Sequence, residues 1–357
     1  MKMSDLGWNP SREVEFADYE SEGLVPGRIA EEHRDRYLVF TEQGEQNAEI
    51  TGKLRFAAKS RLDFPAVGDW VAVSNTNGGS AAVIHAVLPR RSTFVRKAAG
   101  ETTEPQMVAS NVDTVLLVTD MGLDFNVRRL ERYLTLAYES GSTPVIVLNK
   151  SDLCEDLASR IAEVQAVAFG VPIFAISAER GDGMSELKTV VTPGQTVALI
   201  GSSGVGKSTI VNYLLSENRL KTTAVRESDG RGRHTTTARQ LILLPSGGMV
   251  IDTPGMREIQ LWGDETDLAG SFADIEELAS RCRFSDCEHQ SEPDCAVRAA
   301  LENGALEDSR WESYRKLKRE LRFLERKVDV RARLDEKARW KRIHKSAKEI
   351  MRRKYGS

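Results

Sequence analysis

The sequence feature that most constrains the fold is the glycine-rich segment GSSGVGKS at residues 201–208. It follows the apolar run 195–200 and precedes a helix predicted over 207–215, and this strand–loop–helix context marks a phosphate-binding loop. Glycines are needed because backbone N–H groups must close around phosphate oxygens where a Cβ would intrude. The helix N-terminus adds its dipole. We therefore predict a nucleoside triphosphate site.

The roles of individual residues in this loop follow from phosphate chemistry. Lys207 is expected to reach the β- and γ-phosphates, which places it in the predicted catalytic set, and the Ser208 hydroxyl is expected to bind Mg²⁺. The residues expected to contact the nucleotide are Gly201, Ser202, Ser203, Gly204, Val205, Gly206, Lys207, Ser208 and Thr209.

Two polar segments that follow apolar strands predict which base is bound. The segment NKSD at 149–152 follows the run 144–148, and ISA at 176–178 ends the next predicted strand. A carboxylate at the C-terminal edge of such a sheet lies where ligands bind, and it can accept from both the ring N–H and the exocyclic amine of guanine. Adenine offers no such donor pair, so we predict GTP rather than ATP. The predicted base-binding residues are Asn149, Lys150, Ser151, Asp152, Ser177 and Ala178.

The segment DTPG at 252–255 supplies a second phosphate element. Asp252 is expected to hold Mg²⁺ through water, and the Gly255 N–H to sense the γ-phosphate. Upstream lies RGRHTTT at 231–237, a predicted switch in which Thr235 or Thr236 completes the Mg²⁺ shell.

The residue after DTPG is Met256, where Ras-like enzymes carry a water-orienting glutamine. A thioether can neither donate nor accept usefully, so we expect slow intrinsic hydrolysis. His234 is the internal group best suited to position the water, because a neutral imidazole can accept a proton near pH 7. A surface histidine without a role, and a water-positioning group donated by a partner, are the alternatives.

The order of these elements is unusual, because both base-reading segments precede the phosphate-binding ones. Apolar strand runs alternate with helical spacing from about residue 111, which predicts a parallel sheet covered on both faces. A permuted sheet joins its natural ends and opens elsewhere while keeping the pocket. In Ras-like GTPases the order is reversed, and the arrangement found here resembles that of the circularly permuted GTPases.

Three cysteines and one histidine follow this region: Cys282, Cys287, His289 and Cys295. Their spacing suits a closed tetrahedral Cys₃His zinc site, which would be structural because no coordination position stays open. With four cysteines in 357 residues and no export signal, the chain is expected in a reducing, cytoplasmic compartment. No run approaches the ~20 apolar residues that span a bilayer.

The two ends of the chain differ from its centre in sequence pattern and in charge. Residues 1–24 are polar and expected to fray. Over 25–98, short runs of alternating apolar and polar residues, separated by turn residues, predict an OB-type β-barrel. Such a barrel can bind RNA or serve as a protein-docking module. Residues 310–357 hold 19 Lys and Arg against 7 Asp and Glu, a net +12 in a chain of net −3. Such a stretch is either an RNA-binding tail or a solvated helix laced with ion pairs.

The predicted fold class is therefore a multidomain α/β protein with an N-terminal OB-type β-barrel, a circularly permuted P-loop GTPase domain and a C-terminal helical zinc-binding domain with a basic helical tail. The predicted limits are 1–24 for the polar tail, 25–98 for the barrel, 99–262 for the GTPase domain, 263–309 for the zinc-binding domain and 310–357 for the basic extension.

The barrel, the motif order and the C-x4-C-x-H-x5-C spacing together resemble the RsgA (YjeQ/YloQ-type) family of circularly permuted GTPases, over roughly residues 25–310. The resemblance implies a GTPase that binds the small ribosomal subunit and its rRNA in late assembly, hydrolyses GTP to GDP when stimulated, and then leaves. It implies structural Zn²⁺, and Mg²⁺ with GTP. We expect a monomer with no membrane association.

Two other functions fit some of the same features. A GTP-regulated general RNA-binding or chaperone protein is the alternative, because charge and barrel predict RNA and not which RNA. A signalling GTPase with protein effectors is disfavoured by the basic tail.

Overall fold

The computed structural model describes residues 1–33, 36–74, 81–97, 105–122, 125–216, 239–252, 272–284, 287–290, 292–308 and 310–319. The chain forms two compact units, Met1–Gln260 and Leu261–Ser357. The predicted domain limits inside these units stay predictions.

Five strands close a barrel in the first unit: β1 (Val25–Glu32), β2 (Tyr37–Thr41), β3 (Gly44–Ile50), β4 (Trp70–Ser74) and β5 (Ala82–Val87). The hydrogen-bonded order is β1-β2-β3-β5-β4, and β4 pairs again with β1, which closes the barrel. Its core contains Ile29, Val39, Val71 and Ile84. The predicted OB-type barrel is confirmed.

Two local features of the barrel differ from the expected strands. Only short strands were expected over 25–98, but β3 ends at Ile50 and a short helix, α2 (Gly52–Ala57), follows. The Thr51 hydroxyl accepts from the Leu54 N–H at 3.1 Å and starts this helix. The alternation pattern also missed β1, because its proline, glycine and charged residues dilute the strand signal.

The N-terminal residues are ordered, and the expectation of a frayed tail is wrong. A 3-10 helix (Met3–Leu6) precedes α1 (Pro10–Ser21), whose first turn is capped by the Asn9 side chain. The Trp8 ring lies 4.9 Å from the Trp70 ring of the barrel in an edge-on arrangement, and Leu6 and Phe16 are buried. Apolar packing on the barrel therefore orders a segment whose average composition is polar.

The rest of the first unit is an α/β domain. Its strands follow in the order β10-β9-β8-β11-β13-β12, in which all neighbours run parallel except β12, which is antiparallel to β13 and pairs on its other side with β1 of the barrel. They are β8 (Thr114–Asp120), β9 (Thr143–Asn149), β10 (Ile173–Ala175), β11 (Thr196–Ile200), β12 (Gln240–Leu243) and β13 (Met249–Asp252). The helices are α3 (Val127–Ser140), α4 (Leu157–Gln165), α5 (Met184–Lys188) and α6 (Lys207–Leu215). The predicted strand–helix alternation is confirmed.

The barrel and the α/β domain are joined by the pairing of β1 with β12, by a hairpin of β6 (Thr93–Lys97) and β7 (Pro105–Ser110), and by the buried side chain of Arg28. Arg28 of β1 donates to the carbonyls of Leu6, Gly68 and Asn111 and to the hydroxyl of Thr196 at the start of β11. Burial lowers the pKa of Arg28 to about 10. A single guanidinium thus links the N-terminal segment, the barrel and the central sheet.

The described part of the second unit consists of helices joined by turns and irregular segments. It contains α7 (Ala273–Ser280), α8 (Ala296–Glu302) and helical residues at 310–319. The remainder of the basic tail lies outside the described residues. Among the helices that the structure describes, none is long and apolar enough to cross a membrane.

Candidate nucleotide site and metal centre

The loop 201–208 connects the end of β11 to the start of α6, between the strand and the helix that were predicted. Two of its glycines are sterically required. Gly206 has φ +97°, and a Cβ there would lie 2.2 Å from the Asn149 amide nitrogen. A Cβ on Gly201 would lie 2.2 Å from the Val118 carbonyl oxygen. Only glycine fits at these two positions, because the backbone of the loop must pass close to its neighbours and to a phosphate.

Lys207 folds back over this loop. Its ammonium donates to the carbonyl oxygens of Gly201 at 2.6 Å and Ser202 at 2.5 Å. A second cation, Arg129 of α3, donates to the Ser202 hydroxyl. Positive charge is thus concentrated on one side of the loop.

The base-reading segments lie beside the loop because β9 and β10 are parallel neighbours that end at the same sheet edge. Asn149 joins them: its amide nitrogen donates to the Val205 carbonyl at 2.7 Å, and its amide oxygen accepts from the Ala178 N–H at 3.0 Å. Ala178 was predicted to contact the base, and its N–H is engaged by Asn149 in this structure. Ser177 is buried in the following turn, where its hydroxyl accepts from the Arg180 N–H at 3.3 Å.

Two charged partners in this region were not predicted. Lys150, which has φ +60°, donates to the Asp120 carboxylate at 3.0 Å, and Arg180 lies 3.3 Å from the Asp152 carboxylate. The Asp152 side chain is 14% exposed, against 62% for Arg180. Asp120 could have been found, since it ends a buried strand at the same edge, but no pattern in the sequence points to Arg180.

Several predicted site residues are not described. His234, Thr235, Thr236 and Gly255 lie outside the described residues. The backbone of Asp252 ends β13, which runs parallel to β11. This places the start of the DTPG segment at the sheet edge that carries the loop 201–208.

The four predicted metal ligands converge in the second unit. The ligand atoms of Cys282, Cys287, His289 and Cys295 all lie within 4.8 Å of one another. The His289 Nδ1 is 3.5 Å from the Cys282 sulfur and 3.4 Å from the Cys295 sulfur. Three sulfurs and one imidazole at these separations could hold a metal ion.

The protonation of these groups depends on their surroundings. Desolvation and the two neighbouring thiols raise the pKa of Cys287 to about 11. Desolvation also acts on Cys282, but the backbone N–H groups of Val297 and Ala296 outweigh it and lower its pKa. Burial lowers the pKa of His289, which favours the neutral imidazole that a metal ligand must be. The donor set therefore fits a thiophilic divalent cation.

The cluster packs against the helical residues that follow it. Cys295 caps α8, with its sulfur accepting from the Arg298 N–H at 3.4 Å. The His289 ring lies edge-on to Trp311 at 5.6 Å, and Trp311 stacks on Tyr314 at 5.5 Å. The ligand residues are thus continuous with the core of this unit.

Comparison with known proteins gives concordant results. The family model described as RsgA GTPase matches residues 87–262. The small ribosomal subunit biogenesis GTPase RsgA of Opitutus terrae is 48% identical over 353 residues, which is 96% of each chain. The protein of the same name from Streptomyces coelicolor is 42% identical over 99% of this chain and 96% of its own.

Solved structures agree with this result. YjeQ from Thermotoga maritima has a TM-score of 0.65 at 30% identity and covers 84% of this chain and 98% of its own. YloQ, described as a circularly permuted GTPase, has a TM-score of 0.62 at 26% identity and covers 84% of this chain and 95% of its own.

Proposed function

The chain belongs to the RsgA family of GTPases, and from that premise we propose that it binds the small ribosomal subunit, acts in its late assembly, and hydrolyses GTP to GDP and phosphate when the subunit stimulates it. The observation that carries the nucleotide assignment is Asn149, which holds the phosphate-binding loop and the base-reading segments together.

Within this site we assign the roles by chemistry. The loop 201–208 would cradle the phosphates, with Lys207 leaving its carbonyl partners for the β- and γ-oxygens. Asp152 would accept the two guanine donors. With Met256 after DTPG, the water would be oriented by His234 or by a group of the subunit.

Two metal ions belong to this proposal. Ser208, Asp252 and one switch threonine would hold Mg²⁺, which supplies charge neutralisation at the phosphates. Cys282, Cys287, His289 and Cys295 would hold Zn²⁺, whose preferred ligands are thiolate and imidazole. The three sulfurs and the half-buried imidazole would supply all four ligands and leave no coordination position open, so this site would stabilise the fold.

The rRNA contact is proposed to include the exposed segment 52–61 of the barrel. No residue of α2 is buried, and Phe56 is 94% exposed. The cations of this segment, Lys53, Arg55, Lys59 and Arg61, are exposed as well. Cations track phosphates and an exposed ring can stack on an unpaired base, so this surface suits RNA on an otherwise acidic chain.

The test is steady-state hydrolysis of GTP and of ATP, alone and with purified small subunits, large subunits or free rRNA. We expect slow turnover of GTP only, raised strongly by small subunits alone. Equal stimulation by free rRNA would instead indicate a general RNA-binding GTPase, and equal turnover of ATP would contradict the role of Asp152.

A further inference from the structure

Helix α3 delivers an arginine to the phosphate-binding loop. Arg129 lies in the first turn of α3, where its own N–H is held by the Asn126 side chain at 3.0 Å, and its guanidinium donates to the Ser202 hydroxyl. The helix is firmly placed, because Leu130 and Leu134 are buried. The neighbouring Arg128 instead pairs with Glu131 of the same helix at 3.1 Å. The contact to the loop therefore belongs to Arg129 and not to its neighbour.

The loop is held on both sides of its exposed centre. On one side, the Ser202 hydroxyl accepts a hydrogen bond from Arg129 and the Ser202 carbonyl oxygen accepts one from Lys207. On the other side, the Val205 carbonyl accepts a hydrogen bond from the Asn149 amide. Between these anchors, Ser203 and Gly204 are exposed. The backbone that must close around a phosphate is thus bracketed by two fixed points.

The charges on this loop favour an anion. Two cations that contact the same residue repel each other, and a polyphosphate beside them relieves that repulsion. Arginine keeps its charge at any pH in the working range and presents a planar array of donors, so it holds a hydroxyl in a defined direction. A loop preorganised in this way binds phosphate without first being ordered.

We propose that Arg129 is a positioning residue of the nucleotide site, which holds the first limb of the phosphate-binding loop through the Ser202 hydroxyl and adds a second positive charge beside Lys207. The inference rests on GTP binding alone and not on the action at the ribosome.

The test measures GTP and GDP affinity of the full chain without subunits, for Arg129→Gln, Arg129→Lys, Ser202→Ala and the double variant Arg129→Gln/Ser202→Ala. We expect Arg129→Gln to weaken GTP binding about ten-fold, the effect of one hydrogen bond from a charged group. Ser202→Ala should weaken it in the same direction, Arg129→Lys should restore part of the affinity, and the double variant should be no worse than Arg129→Gln alone. Arg160→Gln on α4, which removes the same charge from a residue paired with exposed Glu163, should leave GTP affinity unchanged.

Three results would overturn the proposal: unchanged GTP affinity in Arg129→Gln, an unchanged affinity in Ser202→Ala, or additive losses in the double variant. Ser202→Ala removes only one hydroxyl, so it keeps the test valid even if the arginine variants unfold. Failure here leaves the proposed role in subunit assembly intact, since that role is tested by stimulation of turnover.

Discussion

At the scale of single residues, Asn149 shows how one buried amide joins segments that are distant in sequence. Asn149 is 3% exposed, and its side chain connects the loop at Val205 to the turn at Ala178. Its backbone carbonyl accepts from the Met121 N–H at 3.0 Å. Both the amide nitrogen and the amide oxygen of this side chain are used to hold these two segments in place.

Asp152 provides a prediction at this scale. We expect Asp152→Asn to weaken GTP binding and to favour xanthosine triphosphate, because an amide nitrogen can donate to the 2-carbonyl of xanthine but not to the guanine amine. The loss for GTP should be at least ten-fold, since two hydrogen bonds to a charged group are replaced. Competition binding with the two triphosphates measures it.

A matched control is Asp156→Asn. Asp156 caps α4 just after the predicted base-reading segment, and its carboxylate accepts from the Ser159 N–H at 3.0 Å. This substitution should leave the preference for GTP unchanged, because asparagine also caps helices well. If both variants shift the preference equally, the assignment of Asp152 is wrong.

At the scale of secondary-structure elements, the N-terminal segment is held to the barrel by aromatic rings. Replacing Trp8 by Ala should lower the free energy of unfolding by about 2 kcal/mol, below the 3–5 kcal/mol of a fully buried Trp because Trp8 is only partly buried. Urea unfolding of the full chain without nucleotide measures it. Val14→Ala in α1, where Val14 is 79% exposed, should change stability by less than about 0.5 kcal/mol. Equal effects would contradict the packing argument.

The Cys₃His cluster, proposed above to bind Zn²⁺, packs against the helical residues 310–319. Because His289 packs on Trp311, removing the metal by chelation should release the ring and change the tryptophan emission of the full chain. In Trp311→Phe the same loss of metal, checked by metal content, should give a much smaller change. A change of equal size in both proteins would show that other tryptophans report it.

At the scale of the whole molecule, charge is distributed unevenly along the chain. Residues 330–357 hold 11 Lys and Arg against 3 Asp and Glu. Removing them should weaken binding to small subunits and flatten the slope of log affinity against log salt, because fewer counterions are released from rRNA. The described helix at 310–319 is retained in this truncation. An unchanged salt slope would contradict a phosphate-binding role for the tail.

The barrel surface gives a contrasting prediction. Phe56→Ala removes an uncharged ring, so it should weaken subunit binding several-fold through lost stacking while leaving the salt slope unchanged. Since Phe56 is almost fully exposed, the free energy of unfolding should not fall. Unaltered affinity for subunits would remove the segment 52–61 from the proposed rRNA contact.

Local sequence patterns were sufficient to identify the family, the parallel sheet and the short motifs. Gly201–Ser208 could be recognised because its function depends on residues adjacent in the chain, and the spacing of Cys282, Cys287, His289 and Cys295 is similarly local. Within the α/β domain, the predicted runs 144–148 and 195–200 agree with β9 and β11 to within one residue at each end, and α6 was predicted at the residues where it lies.

The packing of strands and helices sets which distant residues come into contact. The contacts of Asn149 with Val205, of Arg129 with Ser202 and of Trp8 with Trp70 join positions 56 or more residues apart. Periodicity reports which face of an element is buried, but it does not report what that face is buried against. Residues 1–24 were therefore predicted to fray from their polarity, although packing of a few apolar side chains on the barrel orders them. Such contacts depend on how strands and helices pack across the whole unit, and no local pattern encodes them.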